Sequence, residues 1–152
     1  EKSIATVYHS IGGILGCLMA GFLADKIGRR STIVIGSIGG VIVSAILFMT
    51  NPIFSPIIYW EDFALGIFIS ILQAIIYIYL PELFPTKIRA TGVGFCLNAG
   101  RVAAAVASLN VGTLVIVFGG YSQAALTFSM AYLLAIIAVF FAPETKGQSL
   151  PE

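Results

Sequence analysis

The hydrophobic residues of this chain form five long runs, and most charged residues gather in the short segments between them. Each run is about 18 residues or longer, which is the length a helix needs to cross the ~30 Å hydrocarbon core of a bilayer. A helix also satisfies its backbone hydrogen bonds within one segment, as lipid requires. The pattern therefore predicts an all-α membrane helix bundle, a single transmembrane domain over residues 1–152. The five predicted transmembrane helices cover residues 4–24, 31–50, 57–80, 90–118 and 121–142, and a short tail covers 143–152.

Composition supports a membrane location and narrows the function. Hydrophobic residues make up 59% of the chain and charged residues 10%, with a mean hydropathy of +1.02. Soluble domains carry roughly 25% charged residues, so we expect a lipid bilayer around this chain. A net charge of +1 gives no basic surface for nucleic acid. The single histidine and the two cysteines form no metal-ligand or nucleophile–base pattern, so we expect no metal, no cofactor and no enzyme activity.

The charges of the connecting segments predict an orientation. Lysine and arginine occur in loop 25–30, in loop 81–89 and in the tail, whereas loop 51–62 has none. Segments rich in lysine and arginine stay in the cytoplasm of membrane proteins. We therefore expect the N-terminus outside, the C-terminus in the cytoplasm, and a location in the plasma membrane.

Residues of both charge signs occur at several places on the predicted cytoplasmic face. In the stretch "AGFLADKIGRR", Asp25 ends an apolar run, where the dipole of its own helix disfavours a negative charge, and it therefore needs a cationic partner. One interpretation is a set of salt bridges that closes this face in one state and breaks in another. The alternative is a solvated turn whose exposed pairs contribute about 0–1 kcal/mol each. The residues concerned are Asp25, Arg29, Arg30, Glu82, Arg89 and Glu144.

One charge lies inside a predicted span. Arg101 is about 16 Å from the start of the fourth span at ~1.5 Å per residue, and a charge at that depth is a functional candidate. Asn98 shares its helical face. A guanidinium there could bind a carboxylate, a phosphate or sugar hydroxyls, or it could form a structural bridge to another helix. Gln73 and Tyr77 in the third span could line a cavity with these two residues, or could join helices by hydrogen bonds.

The only histidine, His9, lies near the predicted outer end of the first span. Histidine changes its charge near neutral pH, so His9 could belong to a proton pathway. The alternative is a hydrogen-bonded histidine at a helix interface.

Three motifs together resemble the major facilitator superfamily. "GFLADKIGRR" resembles its loop signature, "PELFPTKIRATGVG" resembles the loop between its tenth and eleventh spans, and "PETKG" resembles the motif after the twelfth span in its sugar-porter and metabolite–proton symporter branches. The five spans then resemble spans eight to twelve of the C-terminal half of such a transporter, whose two halves rock around a central site. The resemblance implies a cytoplasmic switch or gate formed by Gly21, Asp25, Gly28, Arg29, Arg30, Glu82, Arg89 and Glu144.

The stretch "FCLNAGRVAAA" resembles the eleventh span of symporters for carboxylates and sialic-acid-like solutes. We therefore expect a secondary active transporter of a small polar metabolite, preferably an organic acid or sugar acid, that works by alternating access and is coupled to protons or another ion. The substrate-binding residues would be Arg101, Asn98, Gln73 and Tyr77. The first seven spans of the pattern are absent from the chain, so its expected partner is the N-terminal half of a larger transporter.

Two alternatives stay open. In a neutral sugar carrier of the same superfamily, Arg101 would be structural, although the third span lacks the Gly-Pro-rich, Trp-bearing stretch of hexose porters. A truncated membrane protein could instead serve as a sensor or an assembly partner without transporting.

Overall fold

The computed structural model describes residues 2–50, 55–148 and 151. Over these residues the regular structure is helical, which confirms the all-α prediction. Residues 51–54 of the second predicted loop, and residues 149, 150 and 152 of the predicted tail, lie outside the described residues. The helices are α1 (Lys2–Ile27), α2 (Arg29–Thr50), α3 (Ile58–Leu83), α4 (Arg89–Leu109), α5 (Val111–Phe118), α6 (Tyr121–Ser129) and α7 (Ala131–Phe141).

The described part of the chain contains five helical stretches that are long and apolar enough to cross a membrane. The prediction of five transmembrane helices is therefore confirmed at the level of length and composition. The stretches are Ser3–Ile27, Arg29–Met49, Ile58–Leu83, Arg89–Leu109 and Ser122–Phe141.

The first connection is much shorter than the predicted loop 25–30. Helix α1 continues to Ile27 and α2 begins at Arg29, which leaves only Gly28 between them. Its φ of 101° is in the left-handed region that favours glycine.

The fourth predicted span, 90–118, is interrupted. Helix α4 ends at Leu109, and Asn110 separates it from α5. The Asn110 side-chain Nδ2 donates to the carbonyl of Val106 at 2.7 Å, and such local side-chain hydrogen bonds compete with the regular helix. Gly119 then closes α5 with a φ of 78°.

The fifth predicted span, 121–142, has a similar interruption at Met130, between α6 and α7. Just before it, the hydroxyl of Thr127 donates to the carbonyl of Gln123 at 2.9 Å, and the hydroxyl of Ser129 donates to Leu126 at 2.7 Å. Hydroxyl groups that bond back to the preceding turn bend helices. In α3, by contrast, Pro81 lies inside the last turn and the helix continues to Leu83.

Helix α3 is the centre of the bundle and packs against both α1 and α2. Helix α2 also packs against α6 and α7. Helix α4 touches the edge of α3 and has no buried residue, so nearly all of its surface is open. The main hydrophobic cluster consists of Ala24, Ile33, Leu72, Ile75, Tyr79 and Val139.

Helices α1 and α3 run parallel, and their backbones touch through glycines. A Cβ atom on Gly12 would collide with the carbonyl oxygen of Phe63, and one on Gly66 would collide with the carbonyl oxygen of His9. Small residues permit such close crossings in membranes. This contact lies near the N-terminal ends of both helices, so it fixes their spacing there.

Candidate functional site

The charged residues at the C-terminal ends of α1 and α3 converge on one point. The end of α1, the start of α2, the end of α3 and the segment after α7 all contribute to it. We call this group the charged cluster, and it consists of Asp25, Arg29, Arg30, Glu82 and Glu144.

An arginine–carboxylate pair forms the centre of the charged cluster. The Arg29 guanidinium donates to Glu82 through Nη2 at 2.8 Å and through Nε at 3.1 and 3.2 Å. Its Nη1 atom donates to the carbonyl oxygen of Ala24 at 3.0 Å. The side chains of Arg29 and Glu82 are 13% and 17% exposed, so water competes weakly for them. A pair with this geometry is stronger than an exposed ion pair.

The second carboxylate of the charged cluster binds backbone groups. Glu144 accepts from the N–H of Arg29 at 2.9 Å and from the N–H of Arg30 at 3.1 Å. These N–H groups begin α2, so the carboxylate caps the positive end of that helix. Burial by itself raises the pKa of Glu144, but these hydrogen bonds together hold the pKa below its ordinary value of 4.5.

The segment after α7 is fastened by further hydrogen bonds. The hydroxyl of Thr145 donates to Glu82, and the hydroxyl of Tyr79 donates to the carbonyl oxygen of Pro143. The Lys146 Nζ donates to the carbonyl oxygen of Lys26 at 2.7 Å. Thr145 lies inside the "PETKG" motif, so the sequence could have indicated that it belongs to the site. Nothing in the sequence pattern singled out Tyr79.

Gly28 is required by the charged cluster on two grounds. Its positive φ suits glycine, and a Cβ atom there would lie 2.8 Å from a carboxylate oxygen of Glu144. The other predicted glycine, Gly21, has open space where a Cβ would be. Its predicted role in a switch has no contact to support it.

Two residues of the predicted gate make fewer or weaker contacts in the charged cluster than expected. Asp25 accepts from Arg29 at 3.2 Å, but its side chain is 80% exposed. Arg89 lies outside the charged cluster: its Nε donates to the carbonyl oxygen of Phe84 at 3.2 Å and its Nη2 donates to that of Pro151 at 3.2 Å. The expected pairing of Arg89 within the inner salt bridges is therefore not formed in this structure.

The predicted substrate residues are partly brought together between α3 and α4. A cavity of about 210 Å³ is lined by Gln73, Tyr77 and Arg101, with apolar neighbours between them. We call it the Arg101 cavity. Asn98 is not among its lining residues, and its Nδ2 donates to the carbonyl oxygen of Gly94 at 2.8 Å.

The charge of Arg101 is not neutralised by a neighbouring side chain. Its side chain is exposed, and no carboxylate in the described part of the chain lies within ion-pair distance of it. A guanidinium offers planar donors that match a carboxylate. Among the described residues no cluster of histidine, cysteine, aspartate and glutamate is arranged to hold a metal ion. The arrangement is suited to binding a polar or anionic solute.

A bundle of apolar helices of membrane-spanning length defines an integral membrane protein, and a cavity with three polar side chains between two of its helices offers a place for a small solute. The chain belongs to the Major Facilitator Superfamily, because the model of that family matches residues 1–152. The membership of this superfamily that the three motifs predicted is thereby confirmed.

Similar proteins named for their transport of metabolites support the assignment. The chain is 39% identical to the cis,cis-muconate transport protein of Acinetobacter baylyi over 66% of this chain and 24% of that protein. It is 32% identical to the "Probable 4-methylmuconolactone transporter" of Cupriavidus pinatubonensis, over 95% of this chain and 34% of that protein. It is 29% identical to the niacin transporter NiaP of Acinetobacter baylyi, over 89% of this chain and 30% of that protein. The chain thus spans about a third or less of the length of these relatives, all named as transporters and not as enzymes.

Proposed function

We propose that this chain takes part in the secondary transport of a small organic acid, with Arg101 binding the carboxylate. The observation that carries the proposal is the Arg101 cavity, in which an arginine without an acidic partner among the described residues shares a largely apolar pocket with the polar side chains of Gln73 and Tyr77. The relatives named for muconate and niacin transport agree with this substrate class, since both solutes carry carboxylates at neutral pH. Asn98 lies on the same helix, and its predicted part in binding requires its side chain to turn away from Gly94.

The second part of the proposal concerns the charged cluster, which acts as the breakable gate on the cytoplasmic side. Four segments of the chain meet there, and their contacts depend on Arg29, Glu82 and Glu144. The Arg29–Glu82 pair is mostly shielded from water, so opening it exposes two charges that then take up hydration. Such a contact can have two discrete states, as alternating access requires.

The proposal also covers the coupling to protons, the orientation in the membrane and the further membrane helices that transport requires. Because the chain spans about a third of the length of its relatives, the proposed transport is the work of an assembly that includes further membrane helices. The "PETKG" motif favours proton symport, and the lysines and arginines of the short loops favour a cytoplasmic C-terminus in the plasma membrane.

Uptake of labelled cis,cis-muconate by the intact protein in proteoliposomes tests the substrate site. We expect Arg101→Gln to raise KM about tenfold or more, because a charge-assisted hydrogen bond to a carboxylate contributes about 1.5–3 kcal/mol. Arg101→Lys keeps the charge but loses the planar pair of donors, so an intermediate KM is expected. Lys87→Gln, at an exposed position outside both sites, is the control for loss of a positive charge.

An unchanged KM in Arg101→Gln contradicts the proposed site. If a labelled neutral sugar is then carried, and Arg101→Gln leaves its uptake unchanged, the neutral sugar alternative replaces the organic-acid proposal. If the intact protein carries no solute at all, the non-transporting alternative replaces both.

A further inference from the structure

The ends of α1 and α3 that lie away from the charged cluster have a polar contact of their own. His9 Nδ1 and Asp62 Oδ1 are 3.0 Å apart, and the side chains are 38% and 21% exposed. We propose that the His9–Asp62 pair is a proton-binding site that fastens this end of α1 to α3 when it holds the additional proton and releases it when the proton leaves. The inference goes beyond the proposed function, because it requires neither a particular solute nor a coupling ion.

The chemistry of the two groups locates the proton. An ionised carboxylate only accepts hydrogen bonds, so His9 Nδ1 carries a hydrogen and donates it to Asp62. The additional proton comes from water and binds the lone pair of His9 Nε2, which converts the imidazole to an imidazolium ion. No other bond forms or breaks in this step. The hydrogen bond from a neutral imidazole to the carboxylate thereby becomes an ion pair between His9 and Asp62, which is the stronger contact.

Three aromatic side chains pack together at the same end of α1 and α3. The ring of Tyr8 stacks on that of Tyr59 with centroids 5.6 Å apart, and it meets the edge of Trp60 at 5.7 Å. These ring contacts join the two helices beside the His9–Asp62 pair in sequence. The partial exposure of His9 leaves a path by which a proton from water can reach it.

Charged and titratable side chains lie on both α1 and α3 near this end. Helix α3 contributes the carboxylates of Glu61 and Asp62 and the phenol of Tyr59, and α1 contributes Tyr8. The last described turns of α2, residues 44–49, carry no titratable side chain. Helix α1 also begins with a cation, Lys2, and Asp62 is the carboxylate that the structure places in contact with His9.

The helix contact makes the pair sensitive to the spacing of α1 and α3. One turn beyond His9, Gly12 lies directly against the Phe63 carbonyl, and Gly66 lies against the carbonyl of His9 itself. The side chains of His9 and Asp62 are short, so they meet only while the backbones touch in this way. Proton binding and helix closure are therefore coupled, and each must favour the other by the same factor.

The test measures protonation and spacing together in the intact protein in lipid nanodiscs. Histidine-selective NMR follows His9 between about pH 5 and pH 8, the range in which histidine changes charge, and the spectrum of His9→Gln identifies its signal. Spin labels at Ile4→Cys and Ile57→Cys, both exposed positions at this end, report the distance between the helices. The free cysteines Cys17 and Cys96 are first replaced by alanine.

We expect the ratio of the short-distance to the long-distance population to fall about tenfold from pH 5 to pH 8, since the attraction between two opposite charges is lost when His9 becomes neutral. Asp62→Asn keeps an acceptor for His9 but removes the ion pair, so it should abolish most of this dependence. Glu61→Gln removes a carboxylate from the neighbouring position and should keep it.

Two results overturn the inference: a distance distribution that does not change with pH in the unmodified protein, or an equal pH dependence in Asp62→Asn. Should Asp62→Asn fold poorly, His9→Gln provides the same test, because it is expected to give one distribution at every pH. Uptake measured on the same samples separates the two proposals. A pH-independent distance with normal uptake overturns only this inference, and absent uptake with a pH-dependent distance overturns only the proposed function.

Discussion

Helix α3 is attached to its neighbours at both ends, but by groups that differ in how they hold their charge. At the charged cluster, Arg29 of α2 binds Glu82, and an arginine keeps its charge at every physiological pH. At the opposite end, His9 of α1 binds Asp62, and a histidine gains or loses its charge near neutrality. The two ends can therefore respond to different signals although they hold the same helix.

The surroundings of the two attachments differ as well. The charged cluster gathers backbone N–H groups, a threonine hydroxyl and the segment after α7 around its carboxylates, so many contacts have to change together. The His9–Asp62 pair is one contact between two partly exposed side chains. We expect the charged cluster to contribute more to stability, and the His9–Asp62 pair to be the more sensitive to mild changes of pH.

The largest expected effect comes from separating α1 and α3 between these ends. Gly12→Leu places a side chain against the backbone of Phe63, which cannot move without shifting α3. We expect a loss of about 3 kcal/mol or more in the free energy of unfolding, because overfilled packing against a rigid neighbour is costly. Thermal unfolding of the intact protein in detergent measures it. Gly21→Leu, on the same helix but facing open space, is the control, and equal effects of the two variants would contradict the helix contact.

The next effect is expected at the centre of the charged cluster. Glu82→Gln leaves the shielded Arg29 guanidinium without its main counter-charge, and we expect it to cost about 2–3 kcal/mol. Asp25→Asn affects an acceptor that is mostly exposed, so a few tenths of a kcal/mol are expected. Chemical denaturation compares the two variants. An Asp25 effect as large as that of Glu82 would show that the exposed carboxylate, and not the shielded one, holds the cluster.

Acid should weaken the charged cluster only at a pH well below the one at which a histidine changes its charge. The pKa of Glu144 in the folded protein is lower than its ordinary value of 4.5. The stabilisation from Glu144 is thus complete above that ordinary value and is lost as the pH falls through the lower pKa of the folded state. Hydrogen exchange of the Arg29 and Arg30 amides, followed from pH 7 downward after correction for intrinsic rates, should show protection that persists to about pH 5. Protection lost between pH 7 and pH 6 would contradict this assignment.

The smallest effect is expected for the side chain of Arg30. Its guanidinium makes one long hydrogen bond, 3.3 Å to the carbonyl oxygen of Phe140, whereas its backbone N–H binds Glu144. Arg30→Gln should therefore change the free energy of unfolding by less than about 0.5 kcal/mol. Glu144→Gln, which weakens the backbone cap, should cost about 1 kcal/mol. The reverse order would show that the arginine side chain matters more than the helix cap.

Much of the fold could be predicted because its signals are local. The apolar runs predicted five helices of membrane-spanning length, and the motifs around Arg29, Glu82 and Glu144 predicted the family. The charged cluster also brings those three residues together in the structure, although their function as a gate stays a prediction.

Other features depend on groups that a residue pattern does not reveal. Glu144 binds backbone N–H groups, and only the geometry of the corner at Gly28 shows that these donors are available. Asn98 turns to a carbonyl of its own helix, and Arg89 turns to the last part of the chain, because hydrogen-bond partners close by compete with those predicted further away. His9 and Asp62 meet only because the glycines bring α1 and α3 into contact.

The central claim is that Arg101 binds the carboxylate of a small organic acid, and equilibrium binding to the intact protein in nanodiscs tests it most directly. The ligands are the dicarboxylate used as the uptake probe and its neutral dimethyl ester. We predict that the dicarboxylate binds at least about tenfold more tightly than the ester, and that Arg101→Gln removes this preference. Equal Kd values for the dicarboxylate in the unmodified protein and in Arg101→Gln would contradict the account.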